Sequence, residues 1–200
     1  MLKTNIVQVI TGAHKRKKLV TPRPLYGIKT EPASSRIKSA IFSILQPHIN
    51  KNTQVLDLYA GSGQLGIEAI SRGADHTTFV DISQNAIDSI KQNLNSLDLL
   101  TKAQVFKANA VTFLTAPPLK VREQKFDIIF ADPPFDRTKQ RAYYEIVHLA
   151  KHLLAPGGII IIRHPERLRL ENREEELILA DSRKYGSNRV SFFVLPFKNA

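Results

Sequence analysis

Cysteine is missing from this 200-residue chain, so disulfides and thiolate zinc sites are excluded and a reducing, cytoplasmic setting is expected. Long apolar runs are missing too. None approaches the ~20 residues of a membrane helix, and Met1-Leu2-Lys3-Thr4-Asn5 lacks the apolar stretch of a secretion signal. Acidic side chains are in short supply, 18 against 29 Lys and Arg, for a net charge of +11. The rest is ordinary for a globular protein, with 42% hydrophobic and 24% charged residues. The chain is long enough to bury a core as one domain with at most a small appendage.

The positive charge is unevenly spread. Residues 1–38 hold nine Lys and Arg (Lys3, Lys15, Arg16, Lys17, Lys18, Arg23, Lys29, Arg36, Lys38) against Glu31 alone, a net +8, while the remainder holds 20 basic and 17 acidic residues. Such a block on a near-neutral body reads as a surface for a polyanion. Residues 1–35 are therefore expected to form a basic extension that contacts RNA, with Lys15, Arg16, Lys17, Lys18 and Arg36 on phosphates, and residues 36–200 to form the main domain. A solvated arm that only aids solubility is the competing reading.

Periodicity predicts alternating strands and helices. Residues 6–10 read as a short strand, and Pro22, Pro24, Gly27 and Pro32 as a loop. Ser34 or Ser35 caps a helix whose face is Ile37, Ala40, Ile41, Ile44 and Leu45, ended by Pro47. Strands follow at 53–58, 76–80, 104–107, 125–131 and 159–162, with helices at 64–71 and 83–96, a helical turn at 111–114 and a loop from Pro117-Pro118. A helical face from Tyr143 to Leu154 is closed by Pro156-Gly157-Gly158, and residues 175–181 and 190–195 make a closing strand pair. The fold class is α/β: a Rossmann-like domain with a mostly parallel sheet and helices on both faces.

Two motifs carry chemistry. The first is Asp132-Pro133-Pro134-Phe135 after the apolar strand Phe126-Asp127-Ile128-Ile129-Phe130-Ala131. Ligands of open α/β sheets bind at such strand ends. A carboxylate, a proline carbonyl free of the sheet and an aromatic ring suit a planar substrate with an amino group, above all a nucleobase. An ordinary strand-to-loop turn is the bland reading. The second is Gly61-Ser62-Gly63-Gln64-Leu65-Gly66 after strand Val55-Leu56-Asp57-Leu58, a G-x-G-x-x-G loop that brings backbone N–H groups to a ligand. Asp57 can reach a ligand's ammonium group, or else cap the local turn. Asp81 can accept both ribose hydroxyls, or else cap the helix at Ser83. An ammonium acceptor, a glycine loop and a ribose acceptor match S-adenosylmethionine better than a nicotinamide dinucleotide.

These motifs, with Val9-Ile10-Thr11-Gly12, the segment Lys29 to Lys38, Leu65-Gly66-Ile67-Glu68-Ala69 and Lys184-Tyr185-Gly186-Ser187-Asn188, make the chain resemble class I S-adenosylmethionine-dependent methyltransferases. Within them it is most similar to the bacterial guanine-N2 methyltransferases of small-subunit (16S) ribosomal RNA. The resemblance implies a seven-stranded sheet and a short N-terminal strand or hairpin. It implies S-adenosylmethionine held by Asp57, Tyr59, Ala60, Gly61, Gly63, Asp81, Ile82, Asn109 and Ala110. It also implies 16S RNA as partner, within a small ribosomal subunit or an assembly intermediate. Glu31-Pro32-Ala33 stands where the family reads Arg-Pro-Thr, Ser35 replaces an acid, and Asn109 replaces an acid against the adenine amino group.

In the chemistry so implied, Asp132 and the Pro133 carbonyl accept the two N–H groups of the guanine amine and Phe135 stacks on the base. The base must leave its stack to enter, and Arg137, Lys139 and Arg141 stand ready for phosphate at the rim. Rival readings are an amino methyltransferase for DNA adenine or protein glutamine, a nicotinamide oxidoreductase, and a non-catalytic RNA-binding or ribosome-assembly factor. Residues 136–200 are taken up in finishing the sheet, which argues against a DNA target-recognition domain. No metal is expected: His148 and His152 lack a glutamate partner, and His164-Pro165-Glu166 lacks the cysteines of a deaminase and reads as a loop. Glu174-Glu175-Glu176 reads as a solvated turn.

Overall fold

A strand whose residues are apolar on both sides must lie inside a sheet covered on both faces. The computed structural model, which describes residues 7–22, 33–134, 140–171 and 176–197, bears this out. Strands β3 (Gln54–Leu58), β4 (His76–Asp81), β5 (Ala103–Lys107), β6 (Phe126–Ala131) and β7 (Leu154–Pro165) are parallel. The antiparallel hairpin β8 (Ile178–Tyr185) and β9 (Asn188–Val194) completes a seven-stranded sheet in the order β5-β4-β3-β6-β7-β9-β8. The chain reverses its direction of travel between β3 and β6, and that switch point opens a crevice at the carboxyl ends of the strands.

Alternation along each strand fixes what covers each face. Ile129 and Ala131 of β6 join Phe113 and Leu114 of α4 (Ala110–Thr115) and Tyr143, Ile146 and Val147 of α6 (Gln140–Ala150). Ile128 and Phe130 face Ile41, Phe42 and Leu45 of α1 (Ser35–Leu45) and Leu65 and Ala69 of α2 (Gln64–Ser71). Further along this second face, Phe79 meets Ile67 of α2 and Ile90 and Leu94 of α3 (Gln84–Ser96). Ser34 caps α1 by accepting the Ile37 N–H, and the helix gives way at Gln46–His48 to a 3-10 turn that contains Pro47.

Four expectations change. Pro156-Gly157-Gly158 lies inside β7 instead of closing the preceding helix. The register against β6 jumps from Phe126↔Leu154 to Ile128↔Ile159, so the extra residues are absorbed as an irregularity, and Gly157 supplies φ +78°. His164 and Pro165, expected in a loop, continue the strand and pair with Arg189 and Asn188. After Pro117-Pro118 a single-turn helix, α5 (Leu119–Arg122), forms where a loop was expected, because it buries Val121. In the closing pair β8 runs later than the expected 175–181 and β9 starts earlier than the expected 190–195, because the two strands meet across Gly186-Ser187 with Gly186 at φ +62°.

The basic extension is partly structured. β1 (Val7–Gln8) pairs with β2 (Lys18–Leu19), and Val7, Val9 and Leu19 pack with Ile67, Ile70 and Ile90. Glu68, fully buried in α2, accepts the N–H of Ile10 at 2.6 Å and of Thr11 at 3.0 Å, and pairs with Arg72 at 2.8 Å and Lys38 at 3.8 Å. Lys38 also donates to the Gln8 carbonyl at 2.5 Å; burial lowers its pKa, with Glu68 opposing. Asn93 of α3 accepts from Val20 N–H at 2.7 Å and donates to the carbonyls of Val20 and Ser62, both at 2.9 Å.

Two outcomes follow from these buried groups. Glu68→Ala leaves Arg72 Nε and two backbone donors without their acceptor and Lys38 without its counter-charge, and should cost about 3 kcal/mol or more. Urea denaturation would read that loss, with faster amide exchange at Ile10 and Thr11. His164 is fully buried and bonds Pro165 O through Nδ1 and Ser191 Oγ through Nε2, and burial pushes its pKa down to about 4. The unfolded chain takes up this proton near pH 6.5 and the folded one near 4, so stability falls as pH drops through that window, by about 3 kcal/mol. His164→Gln should remove that share of the acid sensitivity, read by denaturation at pH 7 and pH 4.5.

Candidate active site

The carboxyl ends of β3 and β6 are neighbours. Leu58 pairs with Ala131, and the Asp132 N–H points to the Leu58 carbonyl at 3.5 Å. The glycine loop and the Asp-Pro-Pro segment thus flank one crevice, although 70 residues separate Ser62 from Asp132 in sequence. Ala60 N donates to Val80 O at 3.1 Å and Gly63 N to Ala60 O at 2.7 Å, which turns the chain into α2. Tyr59, Gly61 and Gly63 have φ of 59°, 58° and 75°. A left-handed tyrosine is uncommon, and such backbone clusters at functional sites.

The glycines have separate jobs. A Cβ on Gly61 would meet only Tyr59 O, at 4.0 Å, so the loop is open above it. A Cβ on Gly66 would lie 2.4 Å from Phe79 Cε1 and 2.6 Å from Thr77 Cγ2, so Gly66 lets α2 sit close on β4.

The acids are built into this loop. Asp57 is 1% exposed, and its Oδ2 accepts the Gly66 N–H at 2.9 Å, so it caps the turn from beneath. Burial pushes its carboxyl pKa well up; the Gly66 bond opposes this, and nearby Asp132 and Asp81 add to it. Asp81 accepts the Gly61 N–H through Oδ2 and the Ser83 N–H through Oδ1, both at 2.8 Å. It therefore ties the glycine loop to the start of α3. Ile82 beside it is 61% exposed, an apolar side chain held out at the crevice rim. Asn109 caps α4, its Oδ1 accepting from Val111 and Thr112 N–H at 2.9 and 3.2 Å, so its NH₂ group takes no part in the cap; Ala110 beside it is buried.

Asp132 has a partner that the sequence reading missed. Arg163 clasps it from β7, Nε to Oδ1 at 2.5 Å and Nη2 to Oδ2 at 2.9 Å, with Nη1 3.3 Å from Asn188 Oδ1. The Asp132 side chain is 14% exposed; burial raises its pKa and Arg163 draws it part of the way back. Each carboxylate oxygen keeps lone-pair capacity beyond the fork. Pro133 is buried and Pro134 exposed, while Phe135, Arg137 and Lys139 lie outside the described residues. Arg141 is exposed on α6.

Lys15, Arg16, Lys17 and Lys18 are all exposed at the β1–β2 turn, where Arg16 has φ 67° and bonds Val9 O at 2.9 Å. Arg36 is exposed in the first turn of α1. The signal for Arg163 was a cation directly after Ile159–Ile162; its register beside Asp132 depends on the irregularity in β7. The signal for Glu68 was an acid, four residues before Arg72, in a helix otherwise without charge.

Sheet order, switch-point glycine loop and strand-end acids together define the class I methyltransferase fold. The solved structure titled "Putative methyltransferase yhhF from Escherichia coli" superposes with a TM-score of 0.80 at 26% identity, over 96% of this chain and 99% of that one. The chain belongs to the family described as conserved hypothetical protein 95, whose profile matches residues 7–194. It is 34% identical over 187 residues to "Putative rRNA methyltransferase YlbH" of Bacillus subtilis, covering 94% of this chain and 98% of that one. It is also 34% identical over 130 residues to ribosomal RNA small subunit methyltransferase D of Haemophilus influenzae, covering 64% of each.

Gly66→Ala should lower stability by about 1–3 kcal/mol through overpacking against Phe79, despite the better helix propensity of alanine. The midpoint of urea unfolding checks this.

Proposed function

We propose that this protein transfers the methyl group of S-adenosylmethionine to the exocyclic N2 amine of a guanine in 16S ribosomal RNA. The observation that carries the proposal is the adjacency of the glycine loop and Asp132 across the β3–β6 switch point. The small-subunit RNA methyltransferase among its relatives, and the rRNA methyltransferase that matches nearly end to end, support the acceptor class. Among the described residues no helix is long and apolar enough to cross a membrane. We assign the work to the cytoplasm, on small ribosomal subunits or their precursors.

The residues fit the donor. Open space above Gly61, the outward Ile82 and the acids Asp57 and Asp81 suit a nucleoside that carries positive charge, which would draw the Asp57 carboxyl back toward its ionised form against burial. Tyr59, Ala60, Gly61 and Gly63 would line its amino-acid end, Asp81 its ribose, and Ile82, Asn109 and Ala110 its base. With its oxygen engaged, Asn109 offers an N–H to a ring nitrogen where an acid would have accepted the amino group. When bound, S-adenosylmethionine supplies a methyl group on a sulfonium, an electrophile that needs no metal.

An aryl amine is a weak nucleophile because its lone pair is delocalised into the ring. Asp132 and the Pro133 carbonyl accept its two N–H groups, which holds the nitrogen and favours tetrahedral geometry. Arg163 fixes the plane of the Asp132 carboxylate, so orientation does not wait on a rotamer search. As positive charge develops on nitrogen, the carboxylate stabilises it, and a proton then leaves to Asp132 or water. Phe135 stacks on the base, and Lys15, Arg16, Lys17, Lys18, Arg36 and Arg137 hold phosphates. We assign residues 1–35 to RNA contact and residues 36–200 to the methyltransferase domain.

The test uses labelled S-adenosylmethionine with small-subunit RNA, small subunits, DNA and protein as separate acceptors, followed by nucleoside analysis. N2-methylguanine is expected from the ribosomal acceptors. Asp132→Asn and Asp132→Ala should each reduce incorporation about 100-fold or more while the fold is retained by circular dichroism. Unchanged incorporation by folded variants would overturn the catalytic assignment.

A further inference from the structure

The β8–β9 side of the crevice holds a cleft of about 310 Å³ that the methyl-transfer chemistry leaves without a role. Ser34 and Arg36 at the start of α1 line it, with Arg163 from β7 and Lys184, Tyr185 and Asn188 from the hairpin tip. Three of these are cationic. Arg163 is shared: its Nε and Nη2 grip Asp132, and its Nη1 reaches Asn188. Lys184 meets Glu166 at 3.4 Å, but Arg169 and Arg189 also crowd that carboxylate at 3.4 and 3.6 Å, so one acid faces three cations. The first turn of α1 holds no acid, and its amino end adds partial positive charge to the same wall.

We propose that this cleft binds the phosphodiester beside the nucleotide to be methylated. Arg36 and Lys184 provide the charge, and the strand crosses the hairpin tip before its target base turns in at Asp132. This rests on the RNA reading above. The size is that of a small ligand site, and the sign is wrong for a cationic donor. The donor loop lies on the other side of Asp132, across β3, β4 and β5, whereas the cleft lies across β7, β9 and β8. Arg163 joins the two functions as a positioning residue: an anion in the cleft holds the guanidinium whose other edge orients the Asp132 carboxylate.

The test measures equilibrium binding of a fluorescein-labelled single-stranded oligoribonucleotide over a range of salt, alongside methyl-transfer kinetics on small-subunit RNA. Arg36→Gln with Lys184→Gln changes two exposed side chains, and Glu166 keeps Arg169 and Arg189. Two lost phosphate contacts should reduce the slope of log affinity against log salt by about 1 to 1.5. KM for RNA should rise at least tenfold, with kcat within threefold and donor affinity by calorimetry unchanged. Lys51→Gln with Lys102→Gln makes the same charge change at the opposite rim, before β3 and β5, and should alter neither slope nor KM. If both pairs shift the slope equally, or neither does, the cleft is not a phosphate site. If the slope shifts for the first pair alone but no RNA is methylated by the unaltered enzyme, the cleft stands and the methyl-transfer reading falls.

Discussion

A single buried carboxylate holds the basic N-terminal segment of this molecule to the body of the sheet domain. Glu68 has no solvent contact, and an isolated carboxylate there would be prohibitive. It is tolerable because four donors converge on it: the backbone of Ile10 and Thr11, the Arg72 guanidinium and the Lys38 ammonium. The pairing is also specific, since any slip of the extension along α2 would strand the charge. Gly12 follows at φ +88°, where a Cβ would fall 1.7 Å from Ser71 O, so the path past α2 admits no side chain. Asn93 adds a second stitch between Val20 and Ser62. The basic turn and the glycine loop are therefore tied to the same pair of helices, α2 and α3.

The Asp132–Arg163 fork plays the same part at the crevice. Without Arg163, desolvation by burial would favour a protonated Asp132. The guanidinium offsets part of that shift and locks the carboxylate plane with two bonds, which one ammonium could not do. Its position follows from strand register. Ala131 pairs with Ile162, so the next residue on each strand meets the other at the rim.

What the sequence disclosed, it disclosed through period and punctuation. Helix α2 at Gln64–Ser71 and the Ser34 cap were legible because glycine, serine and proline mark ends locally. The parallel order and the glycine loop were legible because buried strands and tight turns need particular residues. Pairing across the sheet was not. Arg163 reads as a cation after an apolar run until the register is known, and the Pro156-Gly157-Gly158 irregularity hides that register. His164-Pro165-Glu166, read as a loop, likewise concealed that His164 lies in a strand. Asp57 shows a further limit: its type and place were visible, but whether it faces a ligand or caps the turn depended on burial that only packing decides.

Charge divides the crevice in two. On the β3–β4–β5 side stand Asp57 and Asp81, and on the β7–β9–β8 side Arg36, Lys184 and Arg189, with the Asp132–Arg163 pair on the boundary. A donor that arrives cationic and leaves neutral is favoured by the acidic side before transfer and less so after it. A polyanionic acceptor is favoured by the basic side throughout. Exchanging the two signs would make each half repel its ligand, with little screening inside a crevice walled by low-dielectric protein. In the proposed reaction the arrangement sorts donor and acceptor before either makes a specific contact. The Asp132–Arg163 pair of opposite charges lies where the two halves adjoin.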